Sequence, residues 1–243
     1  MATQRVLWSE LKRSEIKQAA DDNAVVIIPV AAIEQHAEHL PINTDTNICC
    51  AIAQKAAENI EEFPVLVLPP IWTGYSPHHM KYPGSITLTH HTFVEVLTEV
   101  AGSVAHHGFH KILLLNGHGG NAPVIDALHN KLAHEDDISA MGVGYWQIPP
   151  VPERMAEICT TDKGFIGHAG EVETSLQLYL QPELVDQASA QWAPGAWGDP
   201  SEASAEKGRL LFEACVDGLT NYVRSYRDGS LHDKLQWRKE VPI

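Results

Sequence analysis

Uninterrupted apolar runs alternate along the chain with segments in which apolar residues recur at helical spacing. The runs have the length and β-branched composition of strands buried on both faces, and we predict strands over residues 25–30, 63–68, 111–115 and 138–143. The helical spacing predicts helices over residues 46–60, after Thr89, after Asn121 with Pro123 in the first turn, from about Gly170, and over roughly 204–227. Strands that alternate with helices indicate a parallel sheet covered on both faces, which is the α/β class.

Three long segments without a helical or strand period connect these elements. They cover residues 71–88, 145–170 and 186–204, and all of them carry proline and glycine. Loops of this length in a compact domain tend to be functional. We expect the first two to determine which substrate binds. We expect His78 and His79 in the first loop to lie at the surface, and the alternative is that they line a pocket.

Length and charge limit the class of protein. A chain of 243 residues is most simply one domain, residues 1–243. Its 31 acidic residues against 17 basic ones repel phosphate backbones, so nucleic acid is not an expected partner. No apolar run reaches membrane-spanning length and nothing resembles a signal peptide. We therefore expect a soluble, cytoplasmic protein that takes a small-molecule substrate and makes no membrane contact.

Three carboxylates and two imidazoles crowd into residues 32–45, between the first strand and the next helix. This is the carboxyl end of a buried strand, where open α/β sheets bind their ligands. Glu34 and His36 point the same way if the chain stays extended, and Asp45 lies near the helix start. Such ligands suit zinc, manganese or iron. The alternative is that these are solvated loop charges and that Asp45 caps the helix.

A glycine-rich hexapeptide, Asn-Gly-His-Gly-Gly-Asn at residues 116–121, follows the third strand. It places His118 at the strand tip, and its glycines allow the backbone to approach a ligand closely. The unpaired amides of the following helix favour a bound anion or a developing oxyanion. The spacing matches neither a Walker loop nor a dinucleotide fingerprint. The alternative is a tight glycine turn with an incidental histidine.

A third candidate segment, residues 167–175, places one imidazole and two carboxylates at the start of a helix. His168, Glu171 and Glu173 can act as metal ligands, as proton-transfer groups or as partners of such groups. The two glutamates are two residues apart on a helix and do not share a face, so at most one should reach a metal. Acidic residues are also favoured in any first helical turn, which leaves a structural role open.

In this order, the three motifs resemble the creatininase (creatinine amidohydrolase) family over residues 24–180. The segment 82–86, Tyr-Pro-Gly-Ser-Ile, is similar to the family's substrate-side Pro-Gly-Thr/Ser loop, which makes Ser85 a substrate-binding candidate. The resemblance implies a three-layer α/β/α sandwich on a mainly parallel sheet. It also implies a homohexamer with two divalent metal ions per subunit, zinc before manganese or iron.

The resemblance assigns ligands to both metals. Glu34, Asp45 and His118 would hold the first metal. His36 and Asp45 would hold the second metal, with Asp45 bridging the two ions.

Gly120 is the point at which the chain departs from the family pattern. In creatininase a glutamate two places after the strand-end histidine completes the second site. Here either Glu171 supplies the missing oxygen ligand, or the second site is weak or empty. Because Gly120 replaces a residue of creatininase, we do not expect creatinine itself to be the substrate.

The resemblance also implies a reaction. Two metals about 3.5 to 4 Å apart can share a hydroxide that attacks a carbonyl polarised by one of them. The expected reaction is hydrolysis of a carbon–nitrogen bond in a small and preferably cyclic amide. His168 is the expected acid for the departing nitrogen, and Glu173 is a second proton-transfer candidate. Substrate contacts are expected from Gly119, Gly120 and Asn121.

Two alternative functions stay open. Members of the family include formamide hydrolases acting on ring-opened pyrimidine nucleotides, and the backbone of residues 119–121 would suit such a phosphate. The second alternative is a non-catalytic protein that uses the metal to hold a ligand or to order its loops. A nucleotide-dependent oxidoreductase is disfavoured because the dinucleotide fingerprint is absent.

Overall fold

Four short parallel strands form the central sheet of the computed structural model, in which residues 5–134, 136, 138–162 and 165–231 are described. The strands are β1 (Val25–Val30), β2 (Val65–Val67), β3 (Ile112–Asn116) and β4 (Ala140–Gly144), and their order across the sheet is β2-β1-β3-β4. Val30 of β1 pairs with Asn116 of β3. The carboxyl ends of the two central strands therefore meet at one edge of the sheet.

Both faces of the central strands are buried, which explains their uninterrupted apolar sequence. Ile27 and Leu113 belong to the core on one face, whereas Ile28 and Leu114 belong to the core on the other. All four side chains are 0–1% exposed. Burial of one such side chain contributes about 1.5–3 kcal/mol, so a polar residue on either face of these strands would be costly.

Helices cover the sheet on both sides and produce the expected three-layer α/β/α sandwich. One layer contains α1 (Arg13–Asp21), α3 (His90–His106) and α4 (Ala122–His134). The opposite layer contains α2 (Thr44–Glu58), α5 (Val151–Ile158), α6 (Glu171–Leu180) and α7 (Ala205–Asp228). None of the described helices combines the length and the hydropathy needed to cross a bilayer.

Helix α5 corrects one expectation, because residues 145–170 were predicted to lack regular structure. The prolines in this segment suggested that no helix forms, but Pro152 lies in the first turn of α5. In the first turn a backbone N–H has no hydrogen-bond acceptor within the helix, so proline loses nothing there. Val151 and Met155 are buried on its inner face. The prolines therefore start this helix instead of preventing it.

Helices α6 and α7 pack closely because Gly208 has no side chain. A Cβ atom at Gly208 would lie 1.8 Å from the carbonyl oxygen of Ser175. We expect Gly208→Ala to push the helices apart and to lower the free energy of unfolding by about 1–3 kcal/mol, as measured by urea denaturation.

Gly102→Ala in α3 is the matched control. A Cβ atom there would find its nearest neighbour at 3.6 Å, the Cδ1 atom of Ile138, which is an ordinary contact. Since alanine is the better helix former, we expect a gain of up to about 1 kcal/mol. Equal stability of Gly208→Ala and the parent chain would contradict the packing argument.

Candidate metal centre

The loop between β1 and α2 brings three ligand-type side chains together below the surface. Glu34 and His36 are 0% exposed and Asp45 is 2% exposed. The loop folds back on itself through a hydrogen bond from the Glu34 amide to the Ile42 carbonyl, 3.0 Å long. As a result the loop returns to the edge of the sheet where it started, and α2 begins with Asp45 in its first turn.

Asp45 faces two different imidazoles with its two carboxylate oxygens. Its Oδ1 atom lies 3.1 Å from Nε2 of His36, and its Oδ2 atom lies 3.2 Å from Nδ1 of His118. Glu34 joins the second of these contacts, with Oε1 3.1 Å from Nδ1 of His118. The sequence-predicted residues Glu34, His36, Asp45 and His118 therefore meet at one place, and Asp45 lies between the other ligands.

Glu173 adds a further carboxylate on the His36 side. Its Oε2 atom lies 3.6 Å from Nε2 of His36 and accepts a hydrogen bond of 2.6 Å from the Ala169 amide. Ligand atoms of His36, Asp45 and Glu173 all lie within 4.8 Å of one another. The structure thus places Glu173, which the sequence suggested as a proton-transfer group, among the candidate ligands.

The structure contradicts the expectation that Glu171 supplies an oxygen ligand. Its carboxylate accepts hydrogen bonds from the amides and hydroxyls of Thr160 and Thr161, at 2.6–3.1 Å, and from the ammonium group of Lys207. These donors occupy its oxygens. The physical reason is the helical phase, because residues two apart on α6 point to different sides and only Glu173 faces the cluster.

The cluster has the donor set and the unsatisfied atoms expected of a metal centre. Both carboxylate oxygens of Glu34, Oδ2 of Asp45 and Nε2 of His36 are buried without a hydrogen-bond partner. Several buried carboxylates at this spacing repel one another unless positive charge lies between them. Mixed oxygen and imidazole ligands suit divalent zinc, manganese or iron. The residues therefore fit cations on both sides of Asp45.

The carboxylates strongly raise the pKa values of the imidazoles of His36 and His118. Burial by itself lowers the pKa of His118, but Asp45 and Glu34 overcome this effect and raise that pKa to about 10. The pKa of His36 also rises well above its ordinary value, since the charges of Glu173 and Asp45 outweigh burial. In return, His36 and His118 hold the pKa of Asp45 below its usual range, against the effect of burial. The carboxylates thus attract positive charge to this position.

The remaining ring nitrogens of both imidazoles are held by the protein. Nδ1 of His36 donates to the carbonyl oxygen of Glu34, at 3.1 Å. Nε2 of His118 lies 3.1 Å from the hydroxyl of Ser76 and 3.3 Å from the carbonyl oxygen of Tyr75. Such outer partners fix the ring orientation and leave the opposite nitrogen free to bind a cation.

His168 lies at the same cluster, as the sequence predicted. Its Nδ1 atom is 3.4 Å from Oε1 of Glu34, and its Nε2 atom donates to the carbonyl oxygen of Gln35 at 2.8 Å. Burial lowers the pKa of His168, and the charge of His36 lowers it further. The neutral ring carries its proton on Nε2, which donates to the backbone carbonyl of Gln35. The lone pair of Nδ1 therefore faces the cluster.

Gln35 is a central residue of the site that the sequence did not reveal. Its side-chain amide donates to the carbonyl oxygen of Gly195 and to Nδ1 of His79, each at 2.8 Å, and lies 3.0 Å from Nε2 of His168. His79 is buried, in contrast to the surface position expected for it. Neither an amide side chain nor a loop histidine carries a spacing signal, so only the folded chain reveals this network.

A pocket of about 370 Å³ lies above the cluster and is lined by Glu34, Asp45, His118, His168 and Glu173 among others. Gly119 and Gly120 also line it, as expected of substrate-binding residues. Trp146, Phe165 and Trp197 form apolar walls.

Ser85 and Asn121, which the sequence suggested as substrate contacts, are not among the described residues that line this pocket. The hydroxyl of Ser85 accepts a hydrogen bond of 3.0 Å from the backbone N–H of Gln35. The Asn121 side chain is 0% exposed and holds the Tyr75 amide and the Ala31 carbonyl, at 2.8 and 3.1 Å. The Asn121 side chain thus holds two loops together and is buried away from a substrate, which corrects its expected role. The Ser85 hydroxyl keeps a proton to donate, so Ser85 stays a substrate-binding candidate.

Fold and cluster together define a three-layer α/β/α protein with a candidate metal centre at the carboxyl edge of its sheet. Residues 9–223 match the creatininase family, which is described as creatinine amidohydrolase. The chain belongs to this family of amidohydrolases.

Three relatives illustrate the range of named activities within this similarity. The creatinine amidohydrolase of Pseudomonas putida is 29% identical over 88% of this chain and 93% of the relative. The mycofactocin precursor peptide peptidase of Mycolicibacterium smegmatis is 28% identical over 90% of this chain and 92% of the relative. A 3-dehydro-scyllo-inosose hydrolase of Thermotoga maritima is 31% identical over 77% of this chain but 59% of the relative.

Solved structures agree with this assignment. A crystal structure of creatinine amidohydrolase (creatininase) is 28% identical and superposes with a TM-score of 0.78 over 90% of this chain and 97% of that chain. Related creatininase structures are described as a Zn-Zn type and as a Mn form.

We expect Glu171→Gln to lower the stability of the chelator-treated protein at pH 7 by about 2 kcal/mol, because it weakens hydrogen bonds to a charged acceptor. Burial raises the pKa of Glu171, but Lys207, Thr161 and Thr160 lower it from 4.5 to about 2. This stabilisation is present above pH 4.5 and is lost as the pH falls towards 2. Urea denaturation at pH 7 and pH 3 measures the difference. A difference that does not shrink at pH 3 would contradict the ion pair.

Proposed function

We propose that this chain is a metal-dependent amidohydrolase that cleaves a carbon–nitrogen bond in a small amide. The observation that carries the proposal is the position of Asp45, which directs one oxygen to His36 and the other to His118 below an open pocket. A carboxylate shared in this way suits two cations. Family membership supports hydrolysis of an amide as the reaction class for such a centre.

In this proposal Glu34, Asp45 and His118 hold the first cation, and His36, Asp45 and Glu173 hold the second. The ligand atoms of each group are already close together. Glu34, His36 and Asp45 contribute buried atoms without a hydrogen-bond partner. When bound, such cations polarise a carbonyl and lower the pKa of a water molecule. Zinc is our first choice of metal, with manganese or iron as alternatives.

His168 is the group that we assign to proton transfer. Its Nδ1 atom faces the cluster, and Gln35 fixes its tautomer through the bond to Nε2. A neutral imidazole in this position can accept a proton from the attacking water and return it to the departing nitrogen. Glu173, held by the Ala169 amide, acts in this account as a ligand and not as an acid.

The pocket walls favour a neutral substrate without phosphate. None of the described lining residues is a lysine or an arginine, so a doubly charged phosphate would depend on backbone amides at the start of α4. Those amides, near Gly119 and Gly120, are instead suited to an amide carbonyl that gains negative charge during attack. We therefore rank a small and preferably cyclic amide above a ring-opened nucleotide. Gly120 argues against creatinine. The homohexamer and the cytoplasmic location remain predictions.

We expect Asp45→Asn to lose more metal than any other single substitution, because it removes a ligand from both ions at once. Elemental analysis of purified variants measures this loss. Glu173→Gln should lose the second ion only, and Glu171→Gln, two positions away, should keep the metal content of the parent chain. Equal metal content in Asp45→Asn and the parent chain would defeat the bridging assignment.

We expect His168→Ala to lower kcat by at least about 100-fold with unchanged metal content, because it removes the proton-transfer group. The assay is hydrolysis of a panel of cyclic amides, lactams, lactones and formamides by the metal-loaded enzyme. His91→Ala, which changes an exposed histidine of α3, serves as the control. If the parent chain binds members of the panel without turnover and His168→Ala binds them equally well, the chain is a non-catalytic binding protein.

A further inference from the structure

His78 is a histidine at the open side of the cluster that neither the family pattern nor the proposed reaction uses. It lies in the short 3-10 turn Pro77–His79 and is exposed to the pocket. One of its ring nitrogens lies within 4.8 Å of ligand atoms of Glu34 and His118, which in turn lie within that distance of each other. The position thus places an additional ring nitrogen beside two of the residues proposed to hold the first cation.

The turn that carries His78 holds the His78 ring beside the ring of His118. The imidazoles of His78 and His118 are parallel to within 7°, with their centroids 5.8 Å apart. The turn that carries His78 is tied to His118 through Ser76, whose hydroxyl lies 3.1 Å from Nε2 of His118. A second contact comes from Asn121, whose side-chain oxygen accepts a hydrogen bond from the backbone N–H of Tyr75. Both contacts lie at the amino-terminal end of the turn, and together they hold His78 beside the candidate centre.

Gly120 leaves the space that His78 needs. A Cβ atom at Gly120 would lie 2.9 Å from Cε1 of His78, 2.4 Å from Nε2 of His118 and 2.6 Å from the carbonyl oxygen of Tyr75. A side chain at this position would therefore force the His78 ring to move from where it lies. The departure from creatininase at Gly120 thus coincides with an imidazole at the same side of the pocket.

We propose that His78 is an additional ligand of the cation held by Glu34, Asp45 and His118. The inference rests on the proposed dinuclear centre and adds a feature of this chain to it. The first site then has two imidazoles and two carboxylates, whereas the second has one imidazole and two carboxylates. Since imidazole suits zinc and carboxylate suits manganese, His78 makes the first site the more zinc-selective of the two.

The test uses the full chain, stripped with a chelator and titrated with Co²⁺, whose visible absorption reports the ligands around each ion. The parent chain is expected to bind two ions with distinguishable spectra. In His78→Ala the first ion should bind at least roughly tenfold more weakly, since even outer-shell partners contribute that much. Its absorption should change, and the second ion should be unaffected.

Two further variants make the result specific. His78→Glu supplies an oxygen ligand in place of the nitrogen and should restore most of the affinity that His78→Ala loses. In a competition between Zn²⁺ and Mn²⁺, this variant should bind relatively more Mn²⁺ than the parent chain does. His91→Ala removes an exposed histidine away from the pocket and should leave both ions and both spectra unchanged. Matching thermal unfolding of the stripped proteins shows that the variants fold alike.

Two outcomes would overturn the proposal, and they are distinguishable. If His78→Ala binds both ions with the affinity and the spectrum of the parent chain, His78 is not a ligand but the dinuclear centre stands. If the parent chain itself binds no Co²⁺, the ligand role and the proposed function fail together.

Discussion

The structure depends on one buried carboxylate placed between two imidazoles. Asp45 is 2% exposed, and its oxygens lie 3.1 and 3.2 Å from His36 and His118. A carboxylate removed from water is strongly unfavourable unless positive charge or donors surround it. Asp45 therefore needs a partner for each of its two oxygens. His36 approaches from the loop after β1, and His118 approaches from the tip of β3.

The parallel sheet meets this requirement through its strand order. Because β1 and β3 are neighbours and end together, the residues that follow them emerge at one edge. Helix α2 adds Asp45 from its first turn, where the helix dipole also favours a negative charge. Helix α6 adds Glu173 from the opposite side, and the close contact of α6 with α7 at Gly208 fixes its position. The fold thus explains how ligands distant in the chain reach one pocket.

The fold and the first ligands were predictable from the sequence because they depend on patterns that need no tertiary information. The apolar run of β1 matches the observed strand Val25–Val30, since a strand buried on both faces admits few polar residues. Glu34, His36 and His118 come in the loops that follow strand ends, which the sequence pattern locates. Helix α5 was missed because its prolines lie in the one turn where proline does not interrupt a helix.

The rest of the site depends on side-chain direction, which spacing alone does not specify. Glu171 and Glu173 share a helix start, and only the phase of α6 decides which of them reaches His36. Gln35 and His79 act through hydrogen bonds that join three loops. The room for His78 at Gly120 is likewise a property of packed backbone and not of a motif.

The most direct test is anomalous diffraction from crystals of the full chain grown with Zn²⁺, recorded on both sides of the zinc absorption edge. We predict one peak beside Nδ1 of His118 and a second beside Nε2 of His36, with the Asp45 carboxylate between them. The absence of any zinc peak in this pocket would contradict this prediction.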